Sequence, residues 1–287
     1  MNTTNSKQRM NVAAALDSNY VRYTYVMLTS LLMNQEADTD IHIYLLQSDL
    51  TAEEKESLES LVSLYEGQLY WLTVDRGLFS ADYLAMTNWT LEAYYRLMLP
   101  DLLPADVDRI LYLDVDMIVN KPLRELYQTD FEDNLLCACS EPFVGLPPGD
   151  VRHDFFRKHM KEGFIYFNSG MLLLNIEKLR GRYHLEDYLS IAARLPYRLV
   201  TPDQDLLNFV HWKEVKILNP IPYNLPARFA YNCGVSYEEV KANIAIIHFL
   251  GNKPWNGKCD HFPIEKLWWD YAEETPYYSE LAEEYFG

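Results

Sequence analysis

Arg109-Ile110-Leu111-Tyr112-Leu113-Asp114-Val115-Asp116 is an apolar run that breaks into two carboxylates. Its aliphatic and aromatic side chains predict a buried strand over Arg109 to Asp114, with the acidic pair where that strand leaves its sheet. In open α/β sheets ligands bind at this carboxyl edge. Residues two apart on a strand share a face at roughly 6 to 7 Å, so both carboxylates can reach one hard cation and a diphosphate bound to it. Three other Asp-x-Asp triplets start at Asp38, Asp106 and Asp203. Asp38 and Asp106 lie in polar, turn-like surroundings, where a solvated loop carboxylate is the ordinary reading; the pair at Asp114 follows a buried strand.

Outward from this run, the segment from Asn11 to about Val119 alternates apolar and amphipathic stretches, the pattern of strands separated by helices. Strands are expected over Asn11 to Leu16, Ile41 to Gln47 and Gln68 to Val74, with a helix over Tyr20 to Asn34. Thr51 with Glu54 makes a capping box for a second helix, which ends near Gly67, the residue type that most easily takes a left-handed turn. A further helix covers Leu91 to Leu99. Leu135 to Ser140 and Gly170 to Asn175 are two more strands, and Pro-containing segments such as Asn219 to Pro226 predict loops and short helices laid over the sheet. The fold class is α/β, with a mostly parallel central sheet flanked by helices.

The chain has 287 residues and 49% hydrophobic content, enough for one large α/β domain or two small ones. One domain fits better, with a nucleotide-binding half over 10–120, an acceptor-facing half over 121–260 and a C-terminal helical extension over 261–287. With 25 Lys+Arg against 42 Asp+Glu, the net charge of -17 repels nucleic acid. A nucleotide ligand stays compatible, because a divalent cation held by local carboxylates reverses the field where phosphates sit. Cys137, Cys139, Cys233 and Cys259 lack the CxxC pairing of a structural zinc site and read as reduced thiols. Met1 to Arg9 has no signal-peptide core and no stretch reaches the ~18 apolar residues of a membrane span, so a cytoplasmic location is expected.

Ile244 to Phe249 is another apolar strand and ends in His248-Phe249-Leu250-Gly251-Asn252-Lys253-Pro254-Trp255. A lone His at a strand end is more often a satisfied core residue. Imidazole is also a ligand for Mn²⁺, and the nearby Lys is a point charge for a phosphate. The aromatic cluster Trp268, Trp269, Tyr271, Tyr277 and Tyr278 reads first as packing, with an acceptor platform or a dimer contact as the alternative.

These residues resemble the family-eight retaining glycosyltransferases, which include glycogenin and bacterial lipooligosaccharide galactosyltransferases. The resemblance runs from Asn11 to about Cys259. It rests on Ala15-Leu16-Asp17-Ser18-Asn19-Tyr20, Tyr94-Tyr95-Arg96-Leu97, Leu111 to Asp116, Phe167-Asn168-Ser169-Gly170, Asp203-Gln204-Asp205 and His248 to Trp255, in family order. It implies a GT-A-like domain that transfers a hexose from UDP-glucose or UDP-galactose to a saccharide or glycoconjugate acceptor. Asp114, Asp116 and His248 would hold Mn²⁺, with Mg²⁺ as the alternative. Ala15, Asp17, Asn19, Tyr20 and Val115 would contact the uridine side of the donor. Arg96, Asn168, Ser169, Asp203 and Gln204 would surround its sugar, and Gly251 with Lys253 would close over the phosphates. Gln204, Asp203 and Arg96 are the candidate catalytic residues.

Each of these residues also has an ordinary structural role open to it. Asp17 and Asn19 can cap the next helix, Arg96 can pair with a surface carboxylate, and Phe167 to Gly170 can form a tight turn. Two departures from the family pattern bear on the site. Only Asn252 stands between Gly251 and Lys253, one residue fewer than usual, and Glu141 replaces a common Asp. A nucleotidyltransferase would show a Gly-rich, basic loop after the first strand, and Leu16 to Tyr20 has neither feature. A non-catalytic UDP-sugar or glycan binding protein would bind donor without turning it over.

Overall fold

Strand β1 (Gln8–Ala15) lies in the interior of the main sheet, and its small Ala13, Ala14 and Ala15 are all buried, as a strand covered on both faces requires. In chain order the other strands are β2 (Thr39–Gln47), β3 (Gln68–Thr73), β4 (Arg109–Leu113), β5 (Met117–Val119), β6 (Leu136–Ser140), β7 (Phe167–Asn175), β8 (Val215–Leu218), β9 (Leu225–Pro226) and β10 (Ile246–His248). This computed structural model describes residues 7–79, 90–141, 158, 163–195, 201–257 and 261–286. The seven-stranded sheet runs β3-β2-β1-β4-β7-β6-β8. It is mostly parallel, and only β7 runs antiparallel to its neighbours β4 and β6.

Helices α1 (Val21–Met33) and α2 (Ala52–Leu64) are the crossovers from β1 to β2 and from β2 to β3. The period of two along the strands sorts the core into two layers. Met10, Val12, Ala14, Leu111 and Leu113 pack with Leu28, Leu31, Leu58 and Leu61 of α1 and α2. Ala13, Ala15, Ile110 and Tyr112 face the opposite layer. That layer holds α3 (Glu92–Tyr95), which continues as a 3-10 turn over Arg96–Met98 and another helical turn over Leu99–Leu102. It also holds α4 (Leu185–Ala192) and α5 (Pro202–His211).

A smaller sheet, β5-β10-β9, pairs β10 antiparallel to β5 and parallel to β9. It carries a third core with α6 (Lys266–Ala272) and α7 (Tyr278–Phe286), in which Trp268 is fully buried and Trp269 nearly so. The two tryptophans are therefore packing residues. Trp255 stacks on Tyr23 of α1 at 4.1 Å and lies 5.0 Å from Trp268, tying the segment after His248 to this core. No helix among the described residues is long and apolar enough to cross a membrane.

Several expectations are corrected in detail. The capping box at Thr51 forms, but the left-handed residue after α2 is Glu66, with φ 57, and not Gly67. Gly67 is needed for space, because a Cβ there would stand 2.9 Å from Val62 Cγ1 and 3.0 Å from Ile41 Cγ2. Phe167 to Gly170 is the start of β7 and not a tight turn. The strand expected to reach Asp114 stops at Leu113, so Asp114 to Asp116 form the turn between β4 and β5. Cys137 and Cys139 are buried free thiols and Cys233 is exposed and free; Cys259 lies outside the described residues.

Candidate active site

The turn after β4 brings its two carboxylates together by a route other than strand pleat. The Asp114 backbone N–H donates to Gly170 O at 2.8 Å, and the Phe249 N–H donates to Asp116 O at 3.0 Å. His248 pairs with Met117 in the small sheet. One ligand atom from each of Asp114, Asp116 and His248 then falls within 4.8 Å of the others. Gly170 makes the approach possible. A Cβ there would overlap His248 Cε1 and stand 2.7 Å from Asp114 Oδ2 and 2.9 Å from Met117 Cε.

The residues fit a divalent cation. His248 Nε2 stands 3.1 Å from Asp116 Oδ1, yet both atoms are buried without a hydrogen-bond partner. Buried polar atoms are rarely left so, because an unmet acceptor costs about 1–3 kcal/mol. An oxygen and nitrogen donor set of two carboxylates and an imidazole suits Mn²⁺ or Mg²⁺.

Lys253 reaches this centre despite the shortened segment before it. Its Nζ bonds to Asp116 Oδ2 and donates to Phe249 O at 2.9 Å. Burial works against the charge on Asp116, but the Lys253 ammonium is the largest opposing pull and the carboxyl is held far below the usual range. The Lys253 ammonium is likewise raised, since its attraction to Asp116 outweighs the cost of burial. Gly251, at φ 76, provides the left-handed turn that brings Lys253 back.

Beside this cluster lies an open cavity of about 320 Å³, lined by Ala15, Asp17, Tyr20, Arg96, Val115, Gly251 and Lys253 among others. Its size lies in the range of small-molecule sites. Asp17 Oδ1 accepts from the Asn19 and Tyr20 backbone N–H groups at 2.9 and 3.1 Å, so it caps the turn Ser18–Tyr20 while facing the cavity. Asn19 does not line the cavity; it is exposed, and its Nδ2 donates to Asp17 Oδ2 at 3.2 Å.

Arg96 is buried and pairs with inner carboxylates rather than a surface one. Nη2 donates to Asp114 Oδ1 at 2.8 Å, Nη1 to Ser169 O at 2.6 Å, and Nε lies 3.2 Å from Asp203 Oδ2. The guanidinium stacks 4.4 Å over the Tyr112 ring, whose hydroxyl donates to Asp114 Oδ1 at 3.1 Å. Burial raises the Asp203 carboxyl above its ordinary value, with Arg96 opposing the shift. Ser169 Oγ donates to Asp203 Oδ2 at 2.8 Å.

Gln204 sits beside them, with Oε1 accepting from Asn168 Nδ2 and the Ser169 N–H, both at 3.0 Å. Its Nε2 donates to Glu141 Oε2 at 2.6 Å. Asp205 is turned elsewhere, accepting from Tyr166 Oη at 2.7 Å. Asp38 and Asp106 are surface carboxylates paired with Arg124 and Arg9. Tyr112, Gly170 and Asn224, and Glu92, which lines the cavity, had no individual site role in the sequence reading. Tyr112 had a signal in its spacing of two from Asp114; Asn224 had none, lying among prolines far along the chain.

The family model for glycosyl transferase family 8 matches residues 11–259. A putative glycosyltransferase of Haemophilus influenzae is 27% identical, covering 94% of this chain and 85% of that protein. A lipopolysaccharide 1,2-glucosyltransferase of Escherichia coli is 26% identical, covering 87% of this chain and 74% of that protein. Among solved structures, the galactosyltransferase LgtC in complex with donor and acceptor sugar analogues superposes with a TM-score of 0.73 at 25% identity, covering 93% of this chain and 96% of that one.

Proposed function

The chain belongs to glycosyl transferase family 8, and from that membership we propose that it moves glucose or galactose from the UDP-sugar onto a saccharide or glycoconjugate acceptor, retaining the anomeric configuration. The observation that carries this reading is the convergence of Asp114, Asp116 and His248 on one point at the rim of a nucleotide-sized cavity. A cation bound there would neutralise charge on the departing diphosphate. Relatives named for glucose and for galactose transfer support both donors. The buried thiols Cys137 and Cys139 fit a reducing cytoplasm.

In this reading Asp17, Tyr20, Ala15 and Val115 hold the uridine, with Asn19 acting through Asp17. Lys253 leaves Asp116 to meet the phosphates, where its ammonium stabilises charge that grows as the sugar C1–O bond breaks. The electron pair goes to the diphosphate oxygen, the acceptor hydroxyl attacks C1 from the same face, and its proton passes to the departing oxygen. Arg96 fixes Asp114 and Asp203 on the sugar side. The Gln204 oxygen already accepts two hydrogen bonds, so it is poorly disposed to form a covalent bond and better suited to stabilise the cationic sugar by its dipole. Asp205, engaged by Tyr166, is not free to attack.

The test is incubation with each donor and a panel of saccharide acceptors, with the product linkage read by NMR. An α-linked product from the α-linked donor is expected. A β-linked product contradicts retention, and a sugar ester trapped on Asp203 or Asp205 contradicts same-face attack.

A further inference from the structure

We propose that Asn224 is a positioning residue for the cation site, the last link of a directed chain of side-chain amides that runs from Glu141 to His248 and fixes the imidazole tautomer. The inference rests on the transferase reading above, because it concerns how one of the three cation ligands is aimed.

The direction of the chain is set by two backbone donors. The Ser169 N–H donates to Gln204 Oε1 at 3.0 Å, and the Gly170 N–H donates to Asn168 Oδ1 at 2.9 Å. A backbone N–H can only donate, so each contact decides which end of its side-chain amide is oxygen. Gln204 must then present Nε2 to Glu141, at 2.6 Å, and Asn168 must present Nδ2 to Gln204 Oε1, at 3.0 Å. With Asn168 Oδ1 committed as an acceptor, Asn224 turns Nδ2 toward it at 2.8 Å. What remains of Asn224 is Oδ1, which faces His248 Nδ1 at 2.9 Å.

An amide oxygen only accepts, so Nδ1 of His248 carries the hydrogen. In the neutral ring Nε2 is then the lone pair, and it points toward Asp116 Oδ1, 3.1 Å away. Those two buried atoms lack a hydrogen-bond partner, as two acceptors facing one another must. The amide chain thus turns the electron pairs of both atoms toward one point, as two ligands to a cation would be. Asn168, Gln204, Asn224 and His248 are all buried, so water cannot readily substitute for a lost link. Asn224 is placed by its own backbone, following the turn Pro220–Tyr223 and preceding β9, which pairs with β10 at Pro226↔His248.

Partners of this kind, holding the far nitrogen of a ligating histidine, change metal affinity by roughly 10–100-fold when removed. The experiment measures Mn²⁺ affinity in the presence of UDP by electron paramagnetic resonance for the wild type, Asn224→Leu, Asn224→Asp and Asp116→Asn. It also reads the His248 tautomer in the cation-free proteins by ¹⁵N NMR.

The wild type is expected to show the Nδ1–H form. Asn224→Leu is expected to lose that signature and at least ~10-fold in affinity, while Asn224→Asp, which keeps an acceptor for Nδ1, retains the signature. A wild-type His248 in the Nε2–H form overturns the proposal whether or not any variant folds. Unchanged affinity in Asn224→Leu, with loss in Asp116→Asn, overturns the positioning role alone. Unchanged affinity in both variants removes the cation site and the transferase mechanism with it.

Discussion

Gly170 shows at the scale of one residue how tightly the site is drawn. It sits on β7 against the turn that holds Asp114, and the space where its side chain would be is filled by the His248 ring, an Asp114 oxygen and the Met117 methyl. Gly170→Ala is expected to push the ligands apart, lowering Mn²⁺ affinity by at least ~10-fold and costing about 1–3 kcal/mol of stability by overpacking. Mn²⁺ titration and thermal melting check this, and wild-type affinity in the variant contradicts it. The Asp114 and Asp116 carboxylates were legible in the sequence because a buried strand precedes them. Gly170 was legible only as part of a motif, and Asn224 not at all, since its contact with His248 depends on a pairing of β9 with β10 that no local pattern encodes.

At the scale of elements, α5 carries the site residues Asp203 and Gln204 at its first turn and His211 at its last. His211 is fully buried, its Nε2 lying 2.6 Å from Tyr188 Oη, and burial lowers its pKa from 6.5 to about 4 against the pull of Glu214. The folded state therefore binds fewer protons than the unfolded state between those values. Stability is full above pH ~6.5 and falls as pH drops toward ~4. His211→Gln is expected to flatten this part of the stability profile, measured by urea unfolding at a series of pH values; an unchanged slope contradicts the assignment.

The elements of the first half were readable because each strand and helix has its own period and caps, as at Thr51 and Glu54. The antiparallel direction of β7 was not, because a nine-residue apolar strand reads the same in either direction. Nor was the two-residue β9, too short to carry a period. The fragmenting of the Leu91–Leu99 helix into α and 3-10 turns likewise follows from tertiary demands, with Arg96 drawn inward to Asp114 and Asp203.

Over the whole molecule, the two sheets meet at the cluster of Asp114, Asp116 and His248. The main sheet supplies Asp114 from the end of β4 and Gly170 from β7; the small sheet supplies His248, and the turn between them supplies Asp116. The C-terminal helices bury Trp268 behind this junction, and Trp255 links that core to the segment bearing Lys253. In a chain of net charge -17, Lys253 and Arg96 place positive charge, among the described residues, beside the Asp114 and Asp116 carboxylates. The most direct measurement is the release of UDP from UDP-glucose and UDP-galactose, with Mn²⁺ or with a chelator, for the wild type and Asp116→Asn, with UDP binding read in the same samples. Release that requires Mn²⁺ and falls by at least ~100-fold in the variant is expected from the loss of one ligand to the leaving-group site. Release that persists with chelator or in Asp116→Asn contradicts the account, as does a wild type that binds neither donor nor UDP in the presence of Mn²⁺.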